Sequence, residues 1–185
     1  MSDTVFGAFV LAVFLVFVFV LGKVIYEVKN RRFVKAWGPL VPIVNGTVTG
    51  DGGGGATSWL TGTYRGRRVQ ATMVPDRNRY SGESGFRYNY YDVALLDVPG
   101  RQDWSLEEGR IATKDKALES SLISLDVASL VAPFGSTTVE YRRQTNKLQL
   151  SEDCGPVWVP MPERFVAELE LLLKLAEMNA SANAM

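Results

Sequence analysis

The chain has 185 residues, of which 46% are hydrophobic, 11% aromatic and 22% charged, a composition that supports a buried core and excludes a disordered chain. It has no histidine and one cysteine, Cys154. Ser-His and Cys-His catalytic pairs, an internal disulfide and a thiolate metal cluster are thereby excluded, and a lone cysteine fits a reducing compartment. The 20 basic and 20 acidic residues cancel overall but not locally: residues 23–101 carry 12 Lys/Arg against 6 Asp/Glu, and residues 102–185 carry 8 against 13.

Residues 5–22 hold no charged side chain. Eighteen helical residues at ~1.5 Å each reach about 27 Å, close to the hydrocarbon thickness of a bilayer. Residues 1–28 are therefore expected to form a single transmembrane helix, with Lys23 snorkelling and Tyr26 at interface depth. A cleaved signal peptide calls for a basic start and a small-x-small cleavage site; Asp3 is acidic, and the residues after the run are basic and bulky. Ala8 and Ala12 form a weak small-xxx-small pair of the kind that lets spans pack.

Residues 29–40 form a basic juxtamembrane segment. Lys29, Arg31, Arg32 and Lys35 lie just after the span, whereas Asp3 is the only charge before it. The positive-inside rule then places the N-terminus outside and the C-terminal domain in the cytoplasm, in a single-pass protein of the cell membrane. Residues 29–37 are expected either to continue the helix or to lie along the interface, with Phe33, Val34 and Trp37 facing lipid, and to end at Gly38-Pro39.

Residues 41–179 read as one soluble α+β domain. Residues 40–49 are expected to be extended. The Gly50 to Gly55 loop lacks the Gly-Lys-Ser/Thr ending of a phosphate-binding loop and precedes a strand-like run, so it reads as a linker. Residues 59–64 and 68–74 bracket Arg65-Gly66-Arg67, a hairpin signature. A polar loop over residues 75–85 and a third strand over residues 88–98 complete an antiparallel meander. Trp104 and Leu106 suit a short strand or a plug. Thr113 is the expected N-cap of a helix over residues 114–125, where Leu118, Leu122 and Leu125 recur at helical spacing. Residues 137–142 and 147–150 flank a second hairpin. Pro162 opens the last helix, whose apolar positions are Phe165, Val166, Leu169, Leu172, Leu173 and Ala176. From Asn179 the chain is expected to fray, with residues 180–185 as a tail. The expected architecture is an antiparallel sheet with two helices on one face, behind an N-terminal span.

No catalytic, cofactor or metal constellation stands out. Glu107/Glu108, Glu152/Asp153 and Glu168/Glu170 are neighbours in sequence and read as solvated faces rather than as carboxyls opposed across a cleft. The most unusual composition is basic and aromatic: Arg65, Arg67, Arg68, Arg77, Arg79, Arg87 and Tyr88, with neighbouring tyrosines. With Lys29, Arg31, Arg32, Lys35 and Trp37, these are the candidate contacts for a protein interface or for anionic headgroups. Single-stranded nucleic acid is the least favoured partner, and the plain alternative is a sheet with tyrosines inside and arginines in water. The expected function is a non-catalytic accessory or scaffold subunit of a membrane complex, with a membrane-protein partner or a second copy of itself. A membrane-tethered binding module and an enzyme with an unmarked site are the alternatives.

Overall fold

The computed structural model describes residues 3–50, 58–75, 89–135, 137–154 and 159–182. Helix α1 (Asp3–Trp37) opens the chain. The strands are β1 (Thr47–Gly50), β2 (Ser58–Tyr64), β3 (Arg67–Pro75), β4 (Asn89–Leu95), β5 (Trp104–Glu107), β6 (Arg110–Thr113), β7 (Thr137–Arg142) and β8 (Lys147–Cys154). Between β6 and β7 lie α2 (Lys116–Ser124) and α3 (Val127–Val131), and α4 (Pro162–Ala182) closes the fold.

The eight strands form one antiparallel sheet in the order β1-β2-β3-β4-β8-β7-β5-β6. Strands β1 to β4 are the expected meander. The β7–β8 hairpin then inserts between β4 and the β5–β6 hairpin, so the two strand groups are stitched by β4–β8 and β5–β7 pairing. The β2–β3 connection is a two-residue turn. Arg65 and Gly66 both have positive φ, of 47° and 78°, which matches the twist of the flanking strands.

Strand alternation sorts the faces. Tyr91, Val93 and Leu95 align with Met73, Ala71 and Val69 on one side, and with Glu152, Leu150 and Leu148 on the other. This row continues through Val139 and Tyr141 to Trp104 and Leu106. It is almost wholly apolar and buried, and Phe165, Leu169, Leu172 and Leu175 of α4 share its core. The opposite face carries Gln70, Asp92, Gln149, Ser151, Thr138 and Glu140, all half-buried. An α+β fold with an antiparallel sheet and several helices is thus as expected.

Several local expectations are corrected. Three helices, not two, contribute to the core, because α3 adds Val127 and Val131 beside Leu118 and Leu122 of α2. Asp115, not Thr113, caps α2: its Oδ1 accepts the Ala117 and Leu118 amides at 3.0 and 3.2 Å. Thr113 is still in β6 and donates its hydroxyl to the Asp103 carbonyl. Residues 38–40 form a 3-10 turn and 41–45 a further turn, so the extended chain begins only at Thr47. Asn179 does not fray. It is buried within α4, accepts from Trp104 Nε1 at 2.9 Å and donates to the Pro99 carbonyl at 2.9 Å. Both sheet edges have a helix beside them, α1 at β1 and α2 at β6, which guards them against pairing with other chains.

Candidate functional site

Helix α1 differs from every other element in what surrounds it. Leu11, each residue from Val13 to Val24, Val28 and Val34 are exposed, with Phe19 at 75%. On the rest of the described surface only Ile123 and Met161 are exposed large apolar side chains. The leucines of α4 that broadened its apolar face are spent inside the domain: Leu171 and Leu175 are buried and Leu173 is half-buried against the core. Among the described residues the large apolar surface is therefore concentrated on α1.

Among the residues whose side chains are described, the apolar stretch of α1 is Val13–Val24, and no single helix is long and apolar enough to cross a membrane. Helices α2 and α3 taken together, bent by 59°, are apolar enough by composition. Their apolar residues Leu118, Leu122, Val127 and Val131 belong to the domain core, which accounts for that character.

The exit of α1 is locked to the sheet. Trp37, expected to face lipid, is fully buried, with its ring 6.2 Å from that of Tyr91; this corrects its place among the surface candidates. The helix reaches the sheet at this residue, and the dry core beside Tyr91 takes up the indole's large apolar surface. Leu40 and Val44 follow it into the core. The Thr63 amide donates to the Val44 carbonyl at 2.6 Å. A methyl group at Gly62 would overlap that same carbonyl, and one at Gly46 would overlap the Thr61 carbonyl. Only glycine at both positions lets the turn lie this close to β2.

Beneath Tyr91 lies a buried polar cluster that the sequence reading missed. The Tyr91 hydroxyl donates to Glu168 Oε2 at 3.0 Å, and Arg164 Nε donates to Glu168 Oε1 at 2.7 Å. Arg164 Nη2 also donates to the Phe134 carbonyl at 2.9 Å and to Glu152 at 3.3 Å, while its guanidinium lies 4.8 Å from the centre of the Phe134 ring. Glu168 has no solvent exposure, so its reading as part of a solvated face is corrected. Burial raises its carboxyl above the ordinary range, against the opposing pull of Arg164 and Tyr91. Burial and the Glu168 charge together raise the Tyr91 hydroxyl well above its usual value. The available signal was the four-residue spacing of Arg164 and Glu168, which puts both on one helix face.

The other candidate contacts divide. Lys29, Arg31, Arg32 and Lys35 all lie on α1, and Arg31 and Lys35 are exposed. Arg65, Arg67 and Arg68 are exposed around the β2–β3 turn. Arg65 pairs with Glu170 of α4 at 2.7 Å, and Arg68 with Asp97 at 3.0 Å. The Tyr64 hydroxyl donates to the same Glu170 at 2.5 Å, which is the main cause of its raised pKa. This turn is thus tied to α4, through exposed pairs that contribute little individually. Arg77, Arg79, Arg87 and Tyr88 lie outside the described residues, as do residues 51–55 of the glycine-rich loop.

An open groove of about 480 Å³ runs along β5 and β6 and is lined by Asp103, Ser105, Thr113, Lys114 and Arg142, among others. Arg142 is held by Glu140 at 2.7 Å, and Asp103 accepts the Arg143 amide at 2.7 Å. Among the described residues no group of three or more Asp, Glu or Cys side chains is placed to hold a metal ion.

No family model matches this sequence, and no curated protein or solved structure is significantly similar to it.

Proposed function

We propose that this chain is a single-span, non-catalytic accessory or scaffold subunit of a membrane complex. Its N-terminus is outside, α1 crosses the bilayer, and the α+β domain stands on the cytoplasmic side, where it contacts protein. The observation that carries this reading is the uncovered α1: apolar side chains exposed at every described position from Val13 to Val24 except Gly22 and Lys23, continued upstream in sequence by a charge-free stretch back to residue 5. Lipid or a partner's span is the environment that accepts such a surface. Lys23 falls at headgroup depth, and the basic cluster that follows the run supports this direction.

Within this reading the division of labour follows from surface chemistry. Contacts made inside the bilayer belong to α1. Contacts made by the domain are polar, and they involve exposed groups such as Arg67 and the candidate basic residues near it. A second reading, a tethered module for an anionic ligand, is favoured by the groove that holds Lys114 and Arg142.

The test is extraction of the tagged full-length chain in mild detergent, followed by size-exclusion chromatography and mass spectrometry. The subunit reading expects stoichiometric membrane proteins to travel with it and the chain to stay in the pellet after alkaline carbonate. Release by carbonate would sink the span, and a lone monomer or homodimer would move the assignment to the tethered module. A C-terminal reporter active only in the cytoplasm checks the direction.

A further inference from the structure

We propose that α1 is a rigid mast rather than a flexible tether, with its angle to the sheet fixed by a built joint, so that the domain is held off the bilayer at a set height and orientation. The height rests on the membrane reading above; the joint does not.

The length argument comes first. Helix α1 is continuous over 35 residues. At ~1.5 Å per residue it is about 52 Å long, whereas a bilayer with its headgroups is about 40–45 Å thick. The charge-free run begins at residue 5, so the excess lies on the domain side. Residues 23–37 span about 22 Å, and a headgroup layer takes about 5–8 Å, which places Trp37 roughly 15 Å beyond the headgroups. Along that stretch Lys23, Val24, Glu27, Val28, Arg31, Val34 and Lys35 are all exposed, and Trp37 is the first fully buried side chain among the described residues of α1.

The joint has three fastenings. Trp37 is sunk beside Tyr91, whose hydroxyl is held by Glu168, which in turn is held by Arg164. Leu40 and Val44 are fully buried three and seven residues after Trp37. The turn that follows is pressed on β2 through Gly46 and Gly62, with the Thr63 amide bonded to the Val44 carbonyl. A tether would end in exposed, polar, glycine- or proline-rich chain with few contacts. Here the first ten residues after the exposed helix contain three fully buried apolar side chains. A packed core has discrete arrangements and does not bend continuously, so these fastenings set one angle.

The experiment uses the full-length chain in lipid nanodiscs with Cys154→Ser as background. Nitroxides at Val28→Cys on the mast and Thr145→Cys on the far hairpin report their separation by pulsed electron resonance. A single narrow distance distribution is expected, and Trp37→Ala and Gly62→Ala should each broaden it severalfold. Gly62→Ala removes no core side chain and displaces the Val44 turn, so it reads the joint where Trp37→Ala lowers overall stability. A broad distribution in the unmodified chain, or a narrow one that both substitutions leave unchanged, overturns the joint. A separate nitroxide at Phe14→Cys reads the bilayer: accessibility to oxygen supports the membrane reading on which the height rests, and accessibility to a water-soluble nickel complex overturns both.

Discussion

Glu168 has lost all contact with water, and Arg164 and Tyr91 hold both of its oxygens. Removing the cation alone strands a buried carboxylate. Arg164→Leu is expected to destabilise the fold by about 3–5 kcal/mol, and the double variant Arg164→Leu/Glu168→Leu to recover much of that loss. Thermal melts followed by tryptophan fluorescence in detergent check this, since Trp37 and Trp104 are both buried; a double variant no better than the single one would show that the arginine acts through its contact with Phe134 instead. The pH dependence has a definite sign. Burial raises Glu168 above the ordinary 4.5 and Asp92 above the ordinary 3.8. A carboxyl whose folded pKa exceeds its unfolded value contributes stability that is complete below the unfolded value and lost as pH rises through the folded one. Relative to the Glu168→Gln/Asp92→Asn variant, the parent chain should therefore lose stability as pH climbs from the ordinary carboxyl range through those raised values. Denaturant midpoints measured across that range test it, and a parent that gains on the variant would refute it.

At the scale of elements, what could be read in advance was what neighbours in sequence decide. The β2–β3 hairpin was visible because Arg65-Gly66 allows two consecutive positive φ values between alternating strands. The β7–β8 hairpin was visible because polar residues 144–146 separate two strand-like runs, and Asn146, with φ 48°, closes its four-residue loop. The cap of α2 was misjudged by two residues because both Thr113 and Asp115 are good caps, and the choice was made by β6, which pairs Thr113 with Trp104 and keeps it extended. Asp115→Ala should cost about 1 kcal/mol and Asp115→Asn only a fraction of it, because asparagine retains the accepting oxygen. Equal losses in both, read from thermal melts, would assign the effect to the weak ion pair with Arg101 at 3.8 Å. The fraying expected from Asn179 failed for a related reason: Trp104 and Pro99, some 75 to 80 residues away in sequence, supply the partners.

For the whole molecule, the boundary between helix and domain matters most. Trp37 and Leu40 belong to the domain core although they lie in the segment expected at the membrane surface. A chain shortened to begin at residue 34 should fold and remain in solution, whereas one beginning at residue 41 should lose about 3–5 kcal/mol for the missing indole alone, and more for Leu40. Soluble yield and melting temperature of the two distinguish them; equal stability would mean that the buried tryptophan is dispensable. The sequence by itself determined the α+β class, the charge-free run, the basic flank after it and both hairpins, because each rests on periodicity, turn chemistry or composition within a short window. Tertiary structure alone decided that β7–β8 inserts between β4 and β5, that Trp37 turns inward to Tyr91, and that Glu168 is buried under it. Those outcomes depend on which apolar faces meet across long stretches of chain, and no local pattern encodes a partner that far away.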